Sequence, residues 1–135
     1  MAHFVRINEA NVVVFGAVIA DKDILDENGN ESEAVGIEFC KKLFGDVGTY
    51  LQTSYNTFYG VHKTGKTPFR WTYASEGFTY DKEKDMFLDP APFPSWVNSG
   101  APEYRWNPPV SYPLDGKLYR WDETIKNWSE VINGN

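Results

Sequence analysis

The sequence has a single cysteine, two histidines and no long apolar run, and each scarcity removes a class of function. Cys40 alone allows neither an intrachain disulfide nor a cysteine-based zinc site built by one chain. It reads as a small apolar core residue, since no cationic neighbour is evident to activate the thiol. His3 and His62 stand far apart with no spacing that recruits carboxylates, so both are expected at the surface and not on a metal. The longest apolar run, Val12 to Ala20, is interrupted by Gly16 and falls well short of the ~20 residues a membrane-spanning helix needs. The opening Met1-Ala2-His3-Phe4-Val5-Arg6 lacks a basic stretch followed by an apolar one, so no secretory signal is read and synthesis in a cytoplasm is expected. Positive charge is short as well. With a formal net charge of -6 and scattered Lys and Arg, the chain would repel a phosphate backbone, which disfavours nucleic acid. No Gly-x-Ser-x-Gly elbow, Cys–His pair or His-Glu-x-x-His helix occurs.

What the chain has in quantity is aromatic side chains, 16% of its residues, enough to stabilise a compact β domain without disulfides. In the back half they fall into a repeated unit: aromatic, any residue, aromatic, then Asp or Asn. The copies are Phe78-Thr79-Tyr80-Asp81, Tyr104-Arg105-Trp106-Asn107 and Tyr119-Arg120-Trp121-Asp122, and the first and last regain an aromatic at Phe87 and Trp128. Alternate aromatics share one face of a strand, and the Asp or Asn starts a turn, so each copy predicts a strand-turn-strand hairpin. The spacers Asp89-Pro90-Ala91-Pro92-Phe93-Pro94-Ser95-Trp96 and Asn107-Pro108-Pro109-Val110-Ser111-Tyr112-Pro113 read as extended straps, because proline fixes φ and removes a ladder donor.

The front half reads differently. Phe4 to Asn8 and Val12 to Ala20 predict a hairpin whose second strand is mostly buried. Asp21 to Gly29 is an acidic turn ending in Asn-Gly. Its glycine is out of step with a calcium loop, since counting back from Gly29 as the sixth position puts Ile24, not Asp, at the start; a solvated turn is expected. Asn30 as N-cap, paired with Glu33, opens a helix over about Glu31 to Phe44 that Gly45 closes. Ile37, Cys40 and Phe44 form its apolar stripe, with Phe39 and Leu43 beside it. Gly36 inside a helix costs about 1 kcal/mol relative to Ala, so either a close backbone contact is needed there or the helix starts later. Tyr50 to Tyr59 and Phe69 to Tyr73 predict strands around a loop. The expected fold is therefore α+β and β-rich: a small antiparallel sheet with one covering helix over residues 1–88, then an appendage of aromatic hairpins and Pro-rich straps over residues 89–135. Asn133-Gly134-Asn135 reads as a frayed end.

Two strings imitate catalytic chemistry. Gly60-Val61-His62-Lys63-Thr64-Gly65-Lys66-Thr67 satisfies the letters of a phosphate-binding loop, whose mechanism needs a helix to begin at its Lys-Thr end. Pro68 and the strand-like Phe69-Arg70-Trp71-Thr72-Tyr73 follow instead, so a chance match in a basic loop is expected, with no cofactor. Glu76, Asp81 and Asp85 hold the carboxylates a glycosidase pair would need, but charged turn residues between strands are far commoner. Exposed Trp96, Trp106, Tyr112 and Trp121 would suit sugar stacking; the plainer expectation is that most tryptophans pack against one another or against the proline straps.

Phe4-Val5-Arg6-Ile7-Asn8, Leu25-Asp26-Glu27-Asn28-Gly29, Gly36-Ile37-Glu38-Phe39-Cys40, Gln52-Thr53-Ser54-Tyr55-Asn56, Gly77-Phe78-Thr79-Tyr80-Asp81, Pro92-Phe93-Pro94-Ser95-Trp96 and Asp115-Gly116-Lys117-Leu118-Tyr119-Arg120-Trp121-Asp122 together resemble small virion-associated proteins of marine tailed phages, cyanophages among them. The resemblance spans nearly the whole chain. It departs between Asn56 and Arg70, where such proteins run from the Ser-Tyr-Asn motif almost directly into a strand. What it implies is a particle-associated protein made in the host bacterial cytoplasm, with no catalytic residues to carry over. The expected function is non-enzymatic: a capsid decoration or cement protein binding the major capsid protein. The alternative is a tail or tail-fibre component that binds host glycan. Trp96, Tyr104, Trp106, Pro108, Pro109, Tyr112, Tyr119 and Trp121 are the expected partner-binding residues, aromatic anchors held by prolines. No nucleic acid or membrane is expected as a partner, and the chain docks either singly or after self-association.

Overall fold

The computed structural model describes residues 1–132. Asn133-Gly134-Asn135, expected as a frayed end, lies outside them. The architecture is α+β and β-rich, with small antiparallel sheets and one α-helix among the described residues. The chain divides into two compact units, Met1–Pro90 and Ala91–Asn135. No helix of the described residues is long and apolar enough to cross a membrane.

The first unit is built on a three-stranded sheet. β1 (Ala2–Ile7) and β2 (Val13–Ile19) form the expected hairpin. Its turn is held by Asn8, whose Oδ1 accepts from the Ala10 and Val12 N–H groups at 2.9 and 3.0 Å. β3 (Thr49–Thr53) adds to the other side of β1, giving the order β2-β1-β3. The central strand is therefore β1, with Phe4, Val5 and Ile7 all buried. The burial expected of β2 is not found. It is an edge strand that leaves Val14 and Val18 44% and 54% exposed, because only its alternate side chains meet the helix layer.

α1 (Glu33–Phe44) begins later than expected. Ser32 is its N-cap and accepts from the Val35 N–H at 3.3 Å. Asn30 does not cap, because its N–H is held with that of Asn28 on the Asp26 carboxylate, both at 2.9 Å. Ile37, Phe39, Cys40 and Phe44 pack with Phe4, Ile19, Ile24 and Tyr50 on one sheet face, while Leu43 faces solvent. Gly36 has its reason in Phe4: a Cβ there would lie 2.2 Å from that ring's Cζ. Burial pushes the Cys40 thiol pKa up, as suits an inert core residue.

The single strand expected over Tyr50 to Tyr59 is not found: a turn at residues 54–56 ends β3, and a short hairpin of β4 (Thr57–Phe58) and β5 (Val61–His62) follows. Residues 63–68 are exposed, and no helix begins at Lys66-Thr67. Phe69 to Tyr73 is not the expected strand: Arg70 and Trp71 take φ of 49° and 70°, which turns the segment instead of extending it. β6 (Thr79–Asp81) and β7 (Met86–Leu88) form a hairpin with Tyr80 opposite Phe87. Val5, Ile7, Val13, Ala74 and Phe87 make the core of the second sheet face.

The second unit contains two hairpins. β8 (Val97–Asn98) pairs with β9 (Trp106–Asn107), and β10 (Tyr119–Asp122) with β11 (Asn127–Glu130). The first and last copies of the aromatic repeat each open a hairpin. The middle copy is instead a return strand, because Pro108 and Pro109 follow it and cannot donate to a further ladder.

Candidate partner-binding surface

Within the second unit, Trp121 and Trp128 face each other across β10 and β11, with ring centroids 5.1 Å apart and planes at 78°. Trp96 packs edge-on to both, and Phe93 tilts against Trp96 and Trp121. Glu123 ties the strap to the hairpin: its carboxylate accepts from Trp121 Nε1 at 2.8 Å, Ser95 Oγ at 2.7 Å and Ser95 N–H at 3.1 Å. These donors, the Trp121 indole foremost, hold its pKa below the usual range.

A loop over residues 113–118 leaves this cluster and returns to it. Tyr112 lies against Trp128 with centroids 4.9 Å apart, and Trp128 Nε1 donates to the Val110 carbonyl at 2.8 Å. At the far end the Tyr119 N–H donates to the Tyr112 hydroxyl at 2.9 Å, and the Tyr119 hydroxyl donates to Asp115 Oδ2 at 2.6 Å. Asp115 also accepts from the Lys117 N–H at 2.9 Å. The bond from Tyr119 lowers the Asp115 pKa, and Asp115 in turn pushes the Tyr119 hydroxyl up to about 12. Closed in this way, the loop presents Leu114 and Leu118, which are 99% and 70% exposed.

The expected partner-binding residues divide by position. Pro109 and Tyr112 are exposed; Trp96, Tyr104, Trp106, Pro108 and Tyr119 are half-buried; Trp121 is buried. Most of these rings brace the unit from within, and aliphatic side chains, Leu114, Leu118, Val97 and Ile125, are its most exposed large apolar groups. Leu114 and Leu118 were missed in the sequence, although two leucines flanking the turn-forming Asp115-Gly116 were a signal.

In the first unit, of the three carboxylates singled out in the sequence, Glu76 is exposed, while Asp81 and Asp85 accept hydrogen bonds within the fold. Arg70 spans helix and hairpin: its Nη2 donates to Glu33 Oε1 at 3.0 Å and its Nε to Asp85 Oδ1 at 2.8 Å. Tyr80 also donates to Asp85, and burial together with that bond pushes its hydroxyl up to about 12. Asp81 caps its own turn by accepting from the Lys84 N–H at 3.1 Å. His3 and His62 are half-buried, not fully at the surface. His3 stacks on Tyr55 and meets Tyr73 edge-on, and burial, with help from the N-terminal ammonium, lowers its pKa. Among the described residues no three His, Cys, Asp or Glu side chains come together in a way that would hold a metal ion. Neither a family model, nor a curated protein, nor a solved structure matches this chain.

Proposed function

We propose that this chain is a non-enzymatic structural protein of a tailed-phage particle, a decoration or cement protein that binds the major capsid protein. The reading joins the sequence resemblance to one observation: a loop closed by Tyr112, Tyr119 and Asp115 that holds two bare leucines in water. A segment already fixed loses little entropy on docking, so its apolar contacts convert efficiently into affinity. Repetition over a symmetric shell multiplies a modest contact into stable attachment. Attachment to a tail or fibre through host glycan is less well supported. Sugar platforms need open, coplanar rings, and Tyr112, Tyr119 and Trp128 meet at 74° and 89°.

The test is occupancy on particles assembled with the Leu114→Asp, Leu118→Asp double variant. Burying each leucine is worth roughly 1.5–3 kcal/mol, so the number of copies retained after purification should fall at least about tenfold. Both side chains are exposed, so the variant keeps its circular dichroism. Full occupancy would sink the cement reading, and binding of the free protein to a glycan array would favour the alternative.

A further inference from the structure

We infer that β2 is a self-pairing edge, through which two copies of this chain join their three-stranded sheets into one continuous antiparallel sheet about a two-fold axis. This does not rest on the virion reading.

The two edges of the sheet are finished differently. On β3 the Gln52 N–H donates to Glu33 Oε2 at 2.8 Å, and the Gln52 carbonyl accepts from Arg70 Nη1 at 2.9 Å. An ion pair thus occupies the positions of a neighbouring strand and blocks that side. On β2 only the start is covered, where the Val13 N–H donates to the Phe78 carbonyl at 2.7 Å and its carbonyl accepts from the Gly77 N–H at 2.9 Å. Among the described residues, no backbone bond from outside the sheet reaches residues 14–18.

The direction of the free groups follows from the register. The Gln52 main chain points off the sheet, so Phe4, opposite it, points its own N–H and C=O toward β2 and meets Ala17. Alternation then turns the N–H and C=O of Gly16 and Val18 outward. Both residues are exposed, and a Cβ on Gly16 would find nothing nearer than 3.9 Å. From Val12 to Ala20 the strand carries no charged residue, none of the lysines or prolines that commonly protect an edge.

A second copy fits this edge in a specific register. With Ala17 facing its symmetry mate, Gly16 stands opposite Val18 twice, and each pair exchanges two N–H···O bonds. Each Val18 side chain then lies beside a glycine that leaves room for it. Although each chain carries a net charge of -6, no like charges meet along the seam. The contact is isologous, as a two-fold axis requires. The irregular register between Arg6 and Ile7 limits the paired length at the start of the strand, so the dimer is weak in solution.

Sedimentation equilibrium of the full chain from micromolar to millimolar concentration should show the mass rising from 15.4 kDa toward twice that value. Amide exchange at Gly16 and Val18 should slow over the same range. Val18→Lys, at an exposed position, should raise the association midpoint at least about tenfold, while Leu43→Lys on the exposed side of α1 should not change it. A monomer at every concentration would overturn the inference. So would association that survives Val18→Lys, or association that leaves Gly16 and Val18 exchange unaltered.

Discussion

Gly36 and Phe4 show how one side chain sets the terms for another. Alanine is the better helix former by about 1 kcal/mol, yet a Cβ at 36 would sit 2.2 Å from the Phe4 ring. Overpacking of this kind typically costs about 1–3 kcal/mol, so Gly36→Ala should lower the thermal midpoint; a rise would show that the ring moves aside freely. The sequence flagged this glycine by its cost alone, and Cys40 by its lack of partners. It did not reveal which ring presses on the helix, because Phe4 and Gly36 meet only once the strand and helix are packed.

Among elements, the informative failure is Phe69 to Tyr73, whose alternating aromatics read as a strand. Local preference lost there to a distant bond: Arg70 turns to reach Glu33, 37 positions away, and Asp85 on the β6–β7 hairpin. Replacing Arg70 with Met keeps the stem and removes the fork that ties three elements together. Glu33 and Asp85 keep partial access to water, at 30% and 58% exposure, so the loss should be about 1–2 kcal/mol, read as a lower urea midpoint. An unchanged midpoint would reduce the clasp to decoration. Hairpins with both strands in the text, β1–β2, β6–β7 and β10–β11, were legible because the pattern and the turn agree. β8–β9 was not, since Val97-Asn98 carries no pattern of its own and its partner looked like an opening strand.

At the scale of the whole molecule, both buried clusters of the first unit draw only on residues before Pro90, and the second unit has its own interlocked rings. Trp121→Ala should therefore cost about 3–5 kcal/mol where it acts. In the intact chain, exchange should quicken at the β10–β11 amides and stay slow at Phe4 to Ile7. Uniform quickening would mean that the units unfold as one. The prolines from Pro90 to Pro94 were legible as extended strap, and the two compact units divide at Pro90. Whether a given aromatic in the second half faces in or out was not legible, since Trp106 and Trp121 stand in the same Tyr-Arg-Trp text yet one is half-buried and the other buried.

The exposed loop that follows β5 has a practical consequence. The Lys63 N–H returns to the Asn56 carbonyl at 2.7 Å, and the Phe69 N–H reaches Thr57 Oγ1 at 3.1 Å, so the exposed stretch between them leaves and rejoins the body at one place. Closing a longer excursion over the same anchors costs only about 0.6 kcal/mol per doubling of length. The chain thus carries its own cloning port, where an epitope or a fluorophore can be spliced in without disturbing either hydrophobic interior.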